Sequence, residues 1–140
     1  MKTGIFAAAG LATALMLTGC GQNDVKGKTG TDITAKSSAE DIGEAYVNEM
    51  TRIADALETV KDEKSAEKAA KTLNKAAEGL NAMQEELDNE AGSTKAMQVL
   101  ASRAGELAEV QGRMMKEIMR IQTEHPELMD VLGDELNKIK

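Results

Sequence analysis

Tryptophan is absent from this 140-residue chain, and phenylalanine, tyrosine, proline, histidine and cysteine each occur once, as Phe6, Tyr46, Pro126, His125 and Cys20. Each scarcity excludes something. With almost no aromatic residues the core must be built from Ala, Leu, Ile, Val and Met, and it must be thin. A lone cysteine permits no internal disulfide. A lone histidine rules out the di-metal carboxylate sites of helical bundles, which need Glu-x-x-His on two helices, and it leaves His125 with no nucleophile or orienting carboxylate at a spacing that would support triad chemistry. No Gly-rich phosphate loop and no zinc-ligand spacing occurs. Positive charge is also in deficit, with a formal net charge of −7, which excludes a general nucleic-acid binder. The expectation is a protein without enzymatic activity and without a cofactor.

What the chain does contain is Ala, Glu, Lys, Leu and Met in proportions that suit long helices with regular periodicity. The first residues are different. Met1-Lys2-Thr3 carries one positive charge, Ile5 to Leu17 is apolar, and no charge falls between Lys2 and Asp24. This is the form of a secretory signal: a basic start, an h-region of ordinary length and a small-residue end. The apolar run is too short to span a bilayer, which takes about 20 residues.

Leu17-Thr18-Gly19-Cys20 closes that run, and leucine, two small residues and cysteine resemble the lipobox of bacterial lipoproteins. The resemblance covers residues 1 to 21. It implies cleavage before Cys20, a diacylglyceryl group on its sulfur and usually acylation of the new amine. Two or more chains hold a protein stably on a membrane, since each buried methylene contributes about 0.8 kcal/mol. Cleavage would remove one lysine and no acid, taking the formal net charge from −7 to −8. The same resemblance implies a location: the residue after the cysteine is Gly21 and not the aspartate that favours inner-membrane retention. An outer-membrane anchor with the body facing the periplasm is therefore expected, although a Gram-positive cell surface uses the same signal. The chain divides accordingly into a signal peptide (1–19), a lipidated cysteine with a flexible Gly-containing tether (20–36) and a helical body (37–140). A polar stretch of that length would span about 20 Å on average and at most about 55 Å.

The body reads as all-α: an antiparallel three-helix bundle with a short fourth C-terminal helix. Ser37-Ser38-Ala39-Glu40 has the spacing of a capping box, followed by a seam of Tyr46, Met50, Ile53, Leu57 and Val60. Asp62 should cap a second helix with the seam Ala66, Ala69, Leu73, Ala76, Leu80, Met83 and Leu87, a clean alternation of three and four. The short connection between the two predicts antiparallel packing. Gly92 and Ser93 predict a turn and then a cap. A long third helix then carries two adjacent lines. Met97, Leu100, Ala104, Leu107, Gln111, Met114, Ile118 and Ile121 form the first; Ala101, Gly105, Ala108, Gly112, Met115 and Met119 form the second. Two lines predict contacts on two sides. Pro126 ends this helix, and Leu128, Leu132, Leu136 and Ile139 suggest the short fourth.

Three groups on the body are candidates for recognition. Glycine inside a helix costs about 1 kcal/mol relative to alanine, so Ala101, Gly105, Ala108 and Gly112 suggest close backbone approach. That approach is made either by helix 1 within the monomer or by a second copy or other envelope protein. Lys61, Lys64, Lys68, Lys71 and Lys75 line one face of helix 2, either as a seat for an anionic partner or, as on many bundle helices, as a solvated face. Met114, Met115, Met119, His125 and Met129 combine thioethers with an imidazole, the donor set that suits Cu(I); methionine is equally a core filler. A periplasmic soft-metal binder using Met115, Met119 and His125 is thus the alternative to an interaction module. Finally, the lipobox, the Ala-rich heptads and the terminal Lys140 are similar in layout to murein lipoprotein, whose last lysine is joined to peptidoglycan. Here Gly92-Ser93 and Pro126 interrupt what is one continuous coil in that family.

Overall fold

In the computed structural model, residues 27–139 are described. All regular structure among them is helical: α1 (Ala39–Glu58), α2 (Glu63–Leu87), α3 (Glu90–Ser102), α4 (Ala104–Glu124) and α5 (Met129–Leu136), with 3-10 turns at Gly30–Asp32 and Pro126–Leu128.

Local chemistry places the helix starts. Ser38, one residue later than the sequence suggests, caps α1: its Oγ accepts from the Asp41 N–H at 3.1 Å, and Asp41 accepts in turn from the Ser38 N–H. The expected Ser37 instead accepts from the Thr34 N–H. At α2 the expected cap forms, Asp62 accepting from the Ser65 N–H at 2.8 Å and Ser65 Oγ from the Asp62 N–H at 3.0 Å. The turn before α3 comes earlier than expected, at Asp88–Asn89, where Asn89 accepts from the Gly92 N–H at 2.8 Å. Gly92 lies inside the first turn because the chain returns so tightly there that a Cβ would stand 2.3 Å from the Leu87 carbonyl oxygen.

The long third helix is broken at Arg103 (φ −118°, ψ 18°) into α3 and α4. Ser102 Oγ donates back to the Val99 carbonyl at 3.2 Å, a bond that tends to bend helices. Arg103 is drawn over Gly43, where a Cβ would come within 2.8 Å of its Nε. The break rotates α3 relative to the seam inferred from α4. Val99 is buried in its place, while Met97 and Leu100, expected inside, are 69% and 53% exposed.

Helix α1 is the centre of the body. Its buried side includes Ile42, Ala45, Met50, Ile53, Ala54 and Leu57, a face too wide for one neighbour. Helix α2 packs along one flank of α1, α3 and α4 along another, and α5 on α2, with α4 resting chiefly on α1. Among the described residues the second line of α4 therefore has no packed neighbour, contrary to the expectation of contact on two sides. The seam predicted for α2 is buried from Ala66 to Met83. After Pro126 the chain turns as expected, and Leu128 and Leu132 complete the core. Asn74 on α2 donates to Glu135 on α5 at 2.9 Å.

The stretch 27–36, expected to belong to the flexible tether, is docked on this frame. Gly30 and Ile33 are buried. The Gly30 N–H donates to Glu49 Oε1 at 2.9 Å, and Arg52 donates to the other carboxylate oxygen at 3.2 Å. Gly79 on α2 leaves the space that Glu49 fills: a Cβ there would lie 2.3 Å from Glu49 Oε1. A Cβ on Gly30 would lie 1.9 Å from the Gly79 carbonyl oxygen. Two glycines thus permit backbone-to-backbone contact beside a carboxylate that is only 1% exposed. Outer bonds extend the seam. Lys28 Nζ reaches Asp41 at 2.6 Å, the Ala35 N–H reaches Glu86 at 2.9 Å, and Lys95 Nζ reaches the carbonyls of Ala35 and Ser37. Backbone N–H and C=O groups, which carry no sequence signature, make most of these bonds.

Candidate functional site

Leu17, Thr18, Gly19 and Cys20, expected from the sequence to form a lipobox, and the terminal Lys140 lie outside the described residues. Within them, the feature with most to explain is the outer face of α4.

Two arginines fix which way that face points. Arg113 spans from α4 to α1, bonding Asp55 at 2.6 Å and Glu58 at 2.9 Å. The two carboxylates raise its pKa above the ordinary guanidinium value, chiefly through the bond to Asp55. Arg120 donates to Glu117 at 2.6 Å and to the carbonyls of Leu57 and Val60 at 3.2 and 3.0 Å. The last two bonds tie α4 to the end of α1, where the Leu57 carbonyl also accepts from the Val60 N–H at 3.1 Å. Leu107, Val110 and Ile121 are buried on the same side. With arginines and seam held inward, Gly105, Ala108, Gly112, Met115 and Met119 are turned outward, all exposed.

This outer face is unusual in content. Met115 and Met119 are 60% and 58% exposed, and a Cβ built on Gly105 or Gly112 would meet nothing within 4 Å. Close packing of helix 1 against these glycines, the within-monomer expectation, is therefore not what they serve. Ala101, at the end of α3, is exposed as well. For Gly112, in the interior of α4, a propensity cost of about 1 kcal/mol is therefore not offset by close packing among the described residues.

The methionine and histidine group does not converge. Met115 and Met119 share a face as an i, i+4 pair, whereas Met114 and Met129 are half-buried and pack against the core. His125 follows Met119 by six residues, about 9 Å of helical rise and well over one turn further round, and its Nδ1 is 3.7 Å from Glu127. No group of three or more His, Cys, Asp or Glu side chains that would hold a metal ion occurs among the described residues.

Lys61, Lys64, Lys68, Lys71 and Lys75 are all exposed. Asp55 and Glu58 of α1 are engaged by Arg113. Lys68, Lys71 and Lys75 border an open groove between α1, α2 and α5 that Asp55, Glu67, Glu78 and Glu135 also line, so the groove presents both signs of charge. An apolar cleft of about 440 Å³ lies between α1, α2 and α3, bordered by Tyr46, Leu80, Met83, Leu87, Val99 and Leu100. The sequence did not signal this cleft, because it opens only where the Arg103 break turns Leu100 away from α4. No helix among the described residues is long and apolar enough to cross a membrane.

Comparison with protein-family models, with curated proteins and with solved structures finds no match to this chain.

Proposed function

We propose that this chain is a lipid-anchored, non-enzymatic helical module of the bacterial cell envelope that presents a partner-binding face to the periplasm. The observation that carries the reading is the outer face of α4, where two exposed methionines and two uncrowded glycines form one stripe that no described residue packs against. The frame behind it is, on this reading, an antiparallel bundle of three rods: α1, α2 and the bent α3–α4 pair. Attachment rests on the lipobox, with Cys20 as the acylated residue and the outer membrane as the site implied by Gly21.

The docked segment shortens the leash. Only residues 21–26 separate Cys20 from Gly27, a reach of at most about 25 Å, so the body stays within a few Debye lengths of the headgroups. Expression of Cys20→Ala tests the anchor: radiolabelled palmitate should no longer be incorporated and the protein should leave the membrane fraction. Persistent labelling of that variant would refute the lipoprotein assignment.

A second reading, soft-metal binding, is favoured by the pair of exposed thioethers at Met115 and Met119. Native mass spectrometry with Cu(I) under reducing conditions separates the two, since a chain that retains no ion is not a copper binder.

A further inference from the structure

We propose that the partner of the α4 outer face is a second copy of this chain, bound antiparallel across a two-fold axis. The proposal rests on the reading of this face as an interaction surface and names its occupant.

The stripe is graded in size. Its N-terminal part holds Gly105, Ala108 and Gly112, and its C-terminal part holds Met115 and Met119, at alternating steps of three and four. A hollow and a bulge thus follow one another on a single exposed face of α4. Antiparallel pairing sets Met115 of each copy against Gly112 of the other, and Met119 against Ala108 of the other. Every layer then joins one large residue and one small one. A parallel pairing would stack Met119 on Met119 and Gly112 on Gly112, a bulge on a bulge and a hollow on a hollow. Flexible thioether chains suit such filling of hollows, and the absence of a glycine side chain lets the backbones approach.

Charge supports the same arrangement independently. Glu109 and Lys116, seven residues apart, share one flank of the stripe and are exposed. Neither takes part in an ion pair among the described residues. In an antiparallel helix pair, residues on one flank face the same flank of the partner. The register that seats the methionines therefore brings Glu109 of each copy to Lys116 of the other, twice by symmetry. The glycines also gain a reason: close approach between copies offsets a helical cost that no contact among the described residues offsets. One helix face of this size makes a weak dimer, and confinement to a membrane surface raises the effective concentration at which it forms.

The test uses the full mature chain with Cys20→Ser, free of lipid, so that it does not depend on the anchor. Sedimentation equilibrium should show reversible dimerisation, and Gly112→Leu should weaken it by at least about tenfold. The same variant should keep or raise its thermal midpoint, because the new side chain enters open space in the single chain. Glu109→Lys alone and Lys116→Glu alone should each weaken the dimer by about three- to tenfold, and the two together should restore it. Orientation is read by oxidative cross-linking. Ala108→Cys mixed with Met119→Cys should form the disulfide-linked pair, and Ala108→Cys by itself should not. A chain that stays monomeric at millimolar concentration overturns the proposal, as do failure of the double charge swap to restore association and efficient self-linking of Ala108→Cys. If the chain is monomeric but a photo-crosslinker at position 112 traps a different envelope protein on membranes, the dimer fails while the interaction-face reading stands.

Discussion

One substitution, glycine to alanine, made at Gly79 and at Gly112, should move stability in opposite directions. Both residues lie inside helices, so both variants gain about 1 kcal/mol in helix propensity. At Gly112 nothing lies within 4 Å of the added Cβ, and Gly112→Ala should stabilise the single chain by about that amount. At Gly79 the Cβ would sit 2.3 Å from Glu49 Oε1 and 2.8 Å from its carboxyl carbon. That carboxylate is buried and accepts from the Gly30 N–H and from Arg52. Moving it overpacks the α1–α2 contact, at a cost of about 1–3 kcal/mol. It also strips the buried Gly30 amide of its acceptor, at about 1–3 kcal/mol. Set against the propensity gain, Gly79→Ala should destabilise by about 1–5 kcal/mol, and the two variants should differ by about 2–6 kcal/mol. Urea titration followed by far-UV circular dichroism, at low concentration on the lipid-free chain, measures both. If Gly79→Ala stabilises the chain as Gly112→Ala does, the Gly30–Glu49–Gly79 contact does not hold the N-terminal segment, and the account of that segment is wrong.

Further outcomes test other parts of the frame. Ile33→Ala should cost about 2–4 kcal/mol although it lies in a stretch that reads as linker, because its side chain is buried against the body; a change below about 0.5 kcal/mol in a urea melt would contradict docking. Arg120→Ala should destabilise by about 2–3 kcal/mol, since it removes two bonds to the end of α1 and leaves the buried Glu117 without its partner; retention of the wild-type urea midpoint would refute the role given to Arg120. Acid should weaken the fold. The pKa values of Asp32, Asp41 and Asp62 are held below the ordinary carboxylate value, chiefly by hydrogen bonds to Thr29, to Lys28 and to Ser65 respectively. On lowering the pH, the unfolded chain therefore takes up protons first, and the stability these groups contribute at neutral pH is lost as pH falls from about 4 through their folded values. The urea midpoint should drop between pH 5 and pH 3, and Asp62→Asn, which keeps a capping acceptor, should flatten part of that drop.

Much of the helical pattern was open to inspection because period and caps are local. The seam of α2, the Asp62 cap and the turn at Pro126 follow from spacing and side-chain chemistry within a few residues, and each is found where expected. The shift from Ser37 to Ser38 has the same origin: two adjacent serines each precede a carboxylate by three residues, and only one can sit at the cap. The two lines of the third helix were legible as lines, but not their directions. Either could face α1, and the choice was made by Arg113 and Arg120 reaching Asp55, Glu58 and the carbonyls at the end of α1, contacts that span more than 50 residues of chain.

By itself, then, the sequence determined that this protein is helical, poor in aromatic residues and acidic, and it carries Leu17-Thr18-Gly19-Cys20 at the end of an apolar run, because composition, periodicity and a contiguous motif need no partner to be read. Only the tertiary structure decided that the line containing Gly105 and Gly112 is not packed on by any of the described residues, that α3 and α4 part at Arg103, and that residues 27–36 are fastened to the body. Each of those outcomes turns on which surfaces meet, and on backbone atoms that every residue carries alike.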